Sequence, residues 1–157
     1  MTPLQDELKQ NRPFRSREEE AFLALQRTAD VLQTKVEAKL NEFGLTGTQY
    51  NALRILRGAG AEGLPCSEIG ARMITHDPDI TRLLNRLEKS NLVRRTRAKT
   101  DRRVVYGKIT SAGLKLLSEM DQPVDKFGRE ILRHVKPENV ERLIQLLEEV
   151  RNAHRES

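Results

Sequence analysis

Apolar residues return every three or four positions from Phe22 onward, at Leu25, Ala29, Leu32, Val36, Leu40 and Phe43. This spacing places them on one side of a helix and predicts a long amphipathic helix ending near Gly44. Ser16 followed by Glu19 has the spacing of a capping box and marks its start. Residues 1–13, with Pro3 and Pro13, read as an arm or a short helical lead-in. A second capping box, Thr46 with Gln49, opens a helix through Tyr50, Leu53 and Leu56 that stops in the run RGAGAEG. Gly63, Leu64 and Pro65 allow only a short extended piece, and CSEIGARM predicts a brief third helix. Asp77 and Pro78 begin a fourth, since the carboxylate can accept from first-turn N–H groups and proline fits the position whose N–H has no partner. Ile80, Leu83, Leu84 and Leu87 line its apolar face. The other face carries Asp79, Thr81, Arg82, Asn85, Arg86 and Lys89.

Beyond that helix the period changes. Residues 92–97 and 103–109 are rich in β-branched and alternating residues around the turn-forming AKTD, which predicts a β-hairpin with Val93, Val105 and Ile109 facing the helices. Thr110 then caps a helix that Pro123 should kink or interrupt, because proline cannot donate to the preceding turn. Apolar positions continue through Val124, Phe127, Ile131, Leu132 and Val135. A final helix from Pro137 carries a stripe of Val140, Leu143, Ile144, Leu147 and Val150. The order is that of a winged helix-turn-helix: mainly α with a small β-hairpin wing. Its parts are an N-terminal arm and helix (1–45), a reading lobe (46–110) and C-terminal helices (111–157), intertwined as one domain. The end helices have more apolar surface than the small lobe needs. They either pack on each other or form a homodimer.

Charge adds a direction to this outline. The 157 residues carry a formal charge of +5, with a pI of about 9.6. Between Arg72 and Lys108, eleven Lys and Arg stand against four acids, a local balance of +7, which leaves −2 for the rest of the chain. Segregation of this kind suits a protein with one face toward phosphates. It also suits a basic face that only meets solvent. The fourth helix presents Thr, Arg and Asn, which can hydrogen-bond base edges in a major groove. Arg95, Arg97, Lys99, Arg102 and Arg103 lie along the hairpin or near its tip, where long cationic side chains can enter a minor groove or straddle phosphates. The amide end of the helix from Thr46, with Thr48 and Gln49, is a third place for backbone phosphate.

Other chemistry is thinly represented. The single cysteine, Cys66, excludes an internal disulfide, and His76, His134 and His154 do not cluster with it as metal ligands. No nucleophile-and-base pattern and no glycine-rich phosphate loop occurs, so neither catalysis nor a cofactor is expected. Apolar runs are only a few residues long and the N-terminus is charged. The expectation is a cytoplasmic protein without membrane attachment.

The runs LTGTQYNALRIL, SEIGARM, DPDITRLLNRLEKSNLVRR, DRRVVYGKIT and SAGLKLL, in this order, resemble the MarR (multiple antibiotic resistance regulator) family across about residues 16–150. The resemblance implies homodimers on pseudo-palindromic operators, with the fourth helix in the major groove and the Asp101–Arg103 tip in the minor groove. It implies that Arg103 reaches DNA while Asp101 fixes the wing, and that Arg82 is the basic residue of a Thr-Arg pair. Asn91 stands where the family commonly has glycine; asparagine tolerates the left-handed conformation such a turn needs. Family members often release DNA when a phenolic or lipophilic acid binds between the dimerisation helices and the reading lobe. By position, Leu25, Ala29, Tyr50, Leu53 and Arg54 are the candidates here, with Arg54 as a carboxylate partner. Relatives that sense peroxide keep their cysteine in the N-terminal helix, unlike Cys66. Two other functions share parts of this pattern, a winged-helix protein-interaction module and a non-specific chromosome-coating protein. Only a specific regulator would separate operator from random duplex.

Overall fold

At Thr2, Ser16, Thr46, Asp79 and Thr110 a short polar side chain starts a helix by taking up an amide left free by its first turn. The structure, a computed structural model, describes residues 1–76 and 79–155. In chain order it runs α1 (Pro3–Glu7), α2 (Arg17–Asn41), α3 (Gly47–Ala59), a 3₁₀ turn (Gly60–Glu62), β1 (Leu64–Pro65), α4 (Cys66–Arg72), α5 (Ile80–Lys89), β2 (Val93–Arg97), β3 (Val105–Ile109), α6 (Ser111–Leu132) and α7 (Pro137–Asn152). At α3 the expected box is complete: Thr46 Oγ1 accepts from the Gln49 N–H at 3.2 Å, and Gln49 Oε1 accepts from the Thr46 N–H at 3.0 Å. At α2, Ser16 Oγ accepts from the Glu19 N–H at 3.1 Å, but the Glu19 carboxylate accepts from Arg15 rather than from Ser16. The lead-in is tied down. Buried Gln5 donates to the Arg12 carbonyl at 3.0 Å, and Arg27 of α2 pairs with Glu7 at 2.7 Å.

Contacts divide the chain into two compact units, Met1–Leu114 and Lys115–Ser157. In the first, the core is formed by Ala52, Leu53 and Leu56 of α3, Ile69 of α4, Leu83, Leu84 and Leu87 of α5, and Val93 of β2, with Leu40 and Leu45 beside them. Each of the leucine, isoleucine and valine side chains contributes about 1.5–3 kcal/mol by leaving water. The predicted hairpin forms with Val93 opposite Ile109 and Arg97 opposite Val105. The short extended piece becomes its third strand, giving the antiparallel order β1-β3-β2. Pro65 is tolerated because β1 lies at the edge. Gly63 makes the turn into β1 with φ +70°, and a Cβ there would lie 2.3 Å from the Gly107 carbonyl oxygen.

Two sequence readings need correction. Asp77 and Pro78 lie outside the described residues, and α5 begins at Ile80 with Asp79 as its cap, the carboxylate accepting from the Arg82 N–H at 2.9 Å. The run Asp-Pro-Asp offers two capping carboxylates, and the second stands two residues closer to the apolar stripe. Pro123, expected to kink or interrupt its helix, lies inside a continuous α6 of 22 residues. Proline there removes a single bond, to the Glu119 carbonyl, and the amphipathic turns on either side carry the helix past it. The end of α5 is as anticipated. Asn91 has φ 58°, and the Leu92 N–H returns to the Leu87 carbonyl at 3.0 Å, closing the helix with a left-handed residue.

In the second unit, α7 leaves Leu143, Ile144, Leu146 and Val150 exposed. Among the described residues no helix is long and apolar enough to cross a membrane.

Two glycine substitutions should separate in sign. Gly63→Ala should lower the unfolding free energy by about 2 kcal/mol or more, from a left-handed backbone plus a clash with β3. Gly58→Ala, in helical α3 with nothing within 4 Å of its Cβ, should raise it by about 0.5–1 kcal/mol. Urea titration of both variants measures the difference.

Candidate nucleic-acid interface

Leu83, Leu84 and Leu87 anchor α5 in the core, so helical geometry turns Thr81, Arg82, Asn85, Arg86 and Lys89 outward, and all five are exposed. Asp79 is not on this face as a free carboxylate; it holds the first turn of its own helix. The helix can sit close to α4 because Gly70 lies at the crossing, where a Cβ would come within 3.1 Å of Ile80 Cγ1. Among the sequence-predicted residues, the four outward groups Thr81, Arg82, Asn85 and Arg86 are therefore brought together.

The wing divides its cations into two groups. Arg97, Lys99, Arg102 and Arg103 are exposed at or near the tip. There Asp101 accepts from the Arg103 backbone N–H at 3.0 Å and from its guanidinium Nε at 3.2 Å, while the Arg103 side chain stays 91% exposed. The Asp101 carboxyl is held below its usual range by those hydrogen bonds. Arg97 is steadied by donating to the Arg102 carbonyl at 3.1 Å. Arg95 behaves differently. It turns back to α5, where Nε donates to Glu88 Oε2 at 2.8 Å, its backbone N–H to Glu88 Oε1 at 3.3 Å, and Nη2 to Asn85 Oδ1. Glu88 was missed in the sequence. The signal was present: it is the sole acid on α5 and stands seven residues before Arg95. Arg95 hydrogen bonds hold the Glu88 carboxyl below the ordinary range.

The start of α3 carries an internal anion. Thr46 and Gln49 spend side chains on each other, Thr46 and Thr48 hydroxyls lie 3.2 Å apart, and the Gly47 N–H points at both Glu37 carboxylate oxygens at 3.0 Å. Beside it lies a cavity of about 510 Å³ between α2, α3 and the turn after α4, lined by Ala29, Gln33, Tyr50, Asn51, Arg54 and Ile74 among others. The Arg54 guanidinium stands over the Tyr50 ring, 5.8 Å from its centroid. Of the five predicted ligand residues, Ala29, Tyr50 and Arg54 line this space. Leu53 is instead wholly buried in the core and Leu25 is exposed on α2.

Cys66 is half-buried at a smaller cavity near Thr81 and Arg103. Burial pushes its thiol up, outweighing the Arg95 charge, so it is a protonated and weak nucleophile at neutral pH. Among the described residues no group of three His, Cys, Asp or Glu could hold a metal ion.

The MarR family pattern matches residues 45–105, the stretch from the α3 cap through the wing. The HTH-type transcriptional regulator FarR of Neisseria gonorrhoeae is 32% identical over 114 residues, covering 73% of this chain and 77% of that protein. The chain belongs to the MarR family. As a MarR-family protein it is a DNA-binding transcriptional regulator, from a non-enzymatic family. The crystal structure of a MarR transcription factor from Planctomyces limnophilus is similar at 40% identity and a TM-score of 0.68, over 87% of this chain and 98% of that one. NadR in complex with 4-hydroxyphenylacetate is similar at 29% identity and a TM-score of 0.66, over 88% and 97%.

Glu88 and Asp101 both have folded-state affinities for protons below those of the unfolded chain. Their stabilisation is present above about pH 4 and is lost as pH falls through the lowered folded values. Glu88→Gln removes one of these carboxylates, so its stability should decline less steeply with acid than that of the parent. Unfolding titrations across about pH 3–6 measure this.

Proposed function

We propose that the protein is a homodimeric repressor that occupies a pseudo-palindromic operator and leaves it when a small aromatic or lipophilic acid binds. The observation that carries this reading is the joint exposure of the α5 face and the Arg103 tip within one compact unit. Two copies would place their α5 helices in successive major grooves about 34 Å apart. Thr81, Arg82, Asn85 and Arg86 would meet base edges and phosphates, while Arg97, Lys99, Arg102 and Arg103 reach the flanking minor groove and backbone. Asp101 contributes by pre-setting Arg103, which then loses less freedom on binding. Thr46, Thr48 and Gln49 lie next to backbone phosphate on this reading. Glu37 already occupies the first amide there, which makes it the weakest of the three contacts.

The dimer would be formed by residues 1–45 and 111–157. Exposed Phe22 and Leu25 on α2, and Leu143, Ile144, Leu146 and Val150 on α7, support this, since isolated copies would leave them in water. Dimer occupancy of a promoter excludes polymerase, which gives repression. The effector site would be the 510 Å³ cavity, with the Arg54 guanidinium for a carboxylate and Tyr50 and Ala29 against an aromatic body. The NadR complex with 4-hydroxyphenylacetate supports the ligand class.

Selection of bound sequences from random duplex DNA should return an inverted repeat with half-sites one turn apart. Tight binding without preference would favour chromosome coating, and no binding at low salt a protein-interaction module. On the selected operator, Arg103→Ala should weaken binding about tenfold, reduce the salt slope by roughly one, and leave the unfolding midpoint in place. Unchanged affinity would remove the wing from the interface. Titration with 4-hydroxyphenylacetate and related acids should release operator from the parent protein and much less from Arg54→Met; no release from either would end the effector reading.

A further inference from the structure

Asn85 lies in the middle of the exposed face of α5, yet its amide is not free to choose which end it shows. Arg95 crosses from β2 with its side chain 24% exposed, is gripped by Glu88 through Nε and its own backbone N–H, and gives Nη2 to the Asn85 carbonyl. A guanidinium has donors only. The Asn85 atom facing it must therefore be Oδ1, because the opposite amide orientation would set N–H against N–H. The NH₂ group is left on the side away from Arg95.

This restriction bears on base reading. An asparagine recognises adenine through both ends of its amide, donating to N7 and accepting from the N6 amino group. With Oδ1 turned to a cation, one of its two lone pairs is taken and the accepting half of that pair is weakened. What remains are two N–H donors on one nitrogen, which match the adjacent acceptors N7 and O6 of guanine. We infer that Arg95 biases Asn85 toward reading through its N–H donors, so that the operator position beneath it is a G·C pair read at guanine rather than an A·T pair read at adenine. The inference rests on the DNA-reading function proposed above and adds its base preference. Arg95 acts here as a positioning residue. Glu88 supports it by fixing the guanidinium from the other side.

The test starts with selection of bound duplexes by the parent protein and by Asn85→Ala. The variant should lose preference at one pair in each half-site and keep the others, which identifies the position Asn85 reads. That position should be G·C for the parent. Arg95→Met, which keeps the length of the stem and removes every donor, frees Oδ1 and should shift the same position toward A·T. A measurement on the unmodified protein stands beside it: 7-deazaguanine at that position should lower affinity about tenfold, since it lacks the N7 acceptor. An A·T preference in the parent, an unchanged preference in Arg95→Met, or indifference to 7-deazaguanine would each overturn the inference. So would an Asn85→Ala profile identical to the parent's, although the regulator function would then survive. If the parent selected no sequence at all, it would be the function reading that failed.

Discussion

Helices and sheet of the reading lobe meet at a residue without a side chain. At Gly107 a Cβ would lie 3.1 Å from Ile69 Cδ1 and 3.7 Å from Leu56, so glycine lets β3 close on the helical core without Ile69 giving way. Gly107 pairs on one side with Leu64 of β1 and on the other with Arg95 of β2. The height of the wing above α3 and α4 is thus set at this contact, and everything carried by β2 inherits it. Arg95, directly across from Gly107, is delivered within reach of Glu88 and Asn85. A side chain at 107 would press on Ile69, and wherever Ile69 did not give way the sheet would move outward and carry that guanidinium from its partners.

A division of labour among the cations follows. The arginine near the foot of the wing is half-buried and paired, and joins sheet to helix. Those at the tip are exposed and keep their charge available, with Asp101 restraining Arg103 without covering it. Exposed ion pairs add little to stability, so the Asp101 contact matters for orientation. The Glu88–Arg95 pair is more protected, and its loss would strand Arg95 beside a fixed amide. The basic zone therefore contains both a brace and an exposed cationic surface, built from the same residue type.

Much of this was legible in the sequence because it is local. Caps at Ser16, Thr46 and Thr110, the apolar stripes, the hairpin and the left-handed Asn91 all depend on residues within a few positions of one another. The same locality explains the misreadings. Two aspartates flank Pro78, and spacing alone does not say which one caps α5. A proline was weighed as a breaker without the amphipathic turns that carry α6 past it. Leu53 shares a helix with Tyr50 and Arg54, but its side chain falls on the core side while theirs border the cavity. The backward turn of Arg95 depended on a strand register that composition cannot supply, and Glu37 reaches the α3 amide from ten residues away through a helix-to-helix contact.

The cavity sits where it can act on α5 without touching it. Asn51 accepts from the Ile74 N–H at 2.8 Å, which ties the turn after α4 to α3, and both residues line the cavity. The same walls include Thr48 and Gly47, close to the Glu37 carboxylate at the start of α3. On the reading proposed above, a molecule bound there would meet the start of one helix of the motif and the segment leading into the other. Binding alone would change nothing; only a difference in affinity between two placements of that turn can shift the balance between them. On the reading proposed above, the Asn51 to Ile74 bond is where such a difference would arise. An acid that drew the Asn51 amide toward itself would trade that bond for its own and loosen the approach to α5.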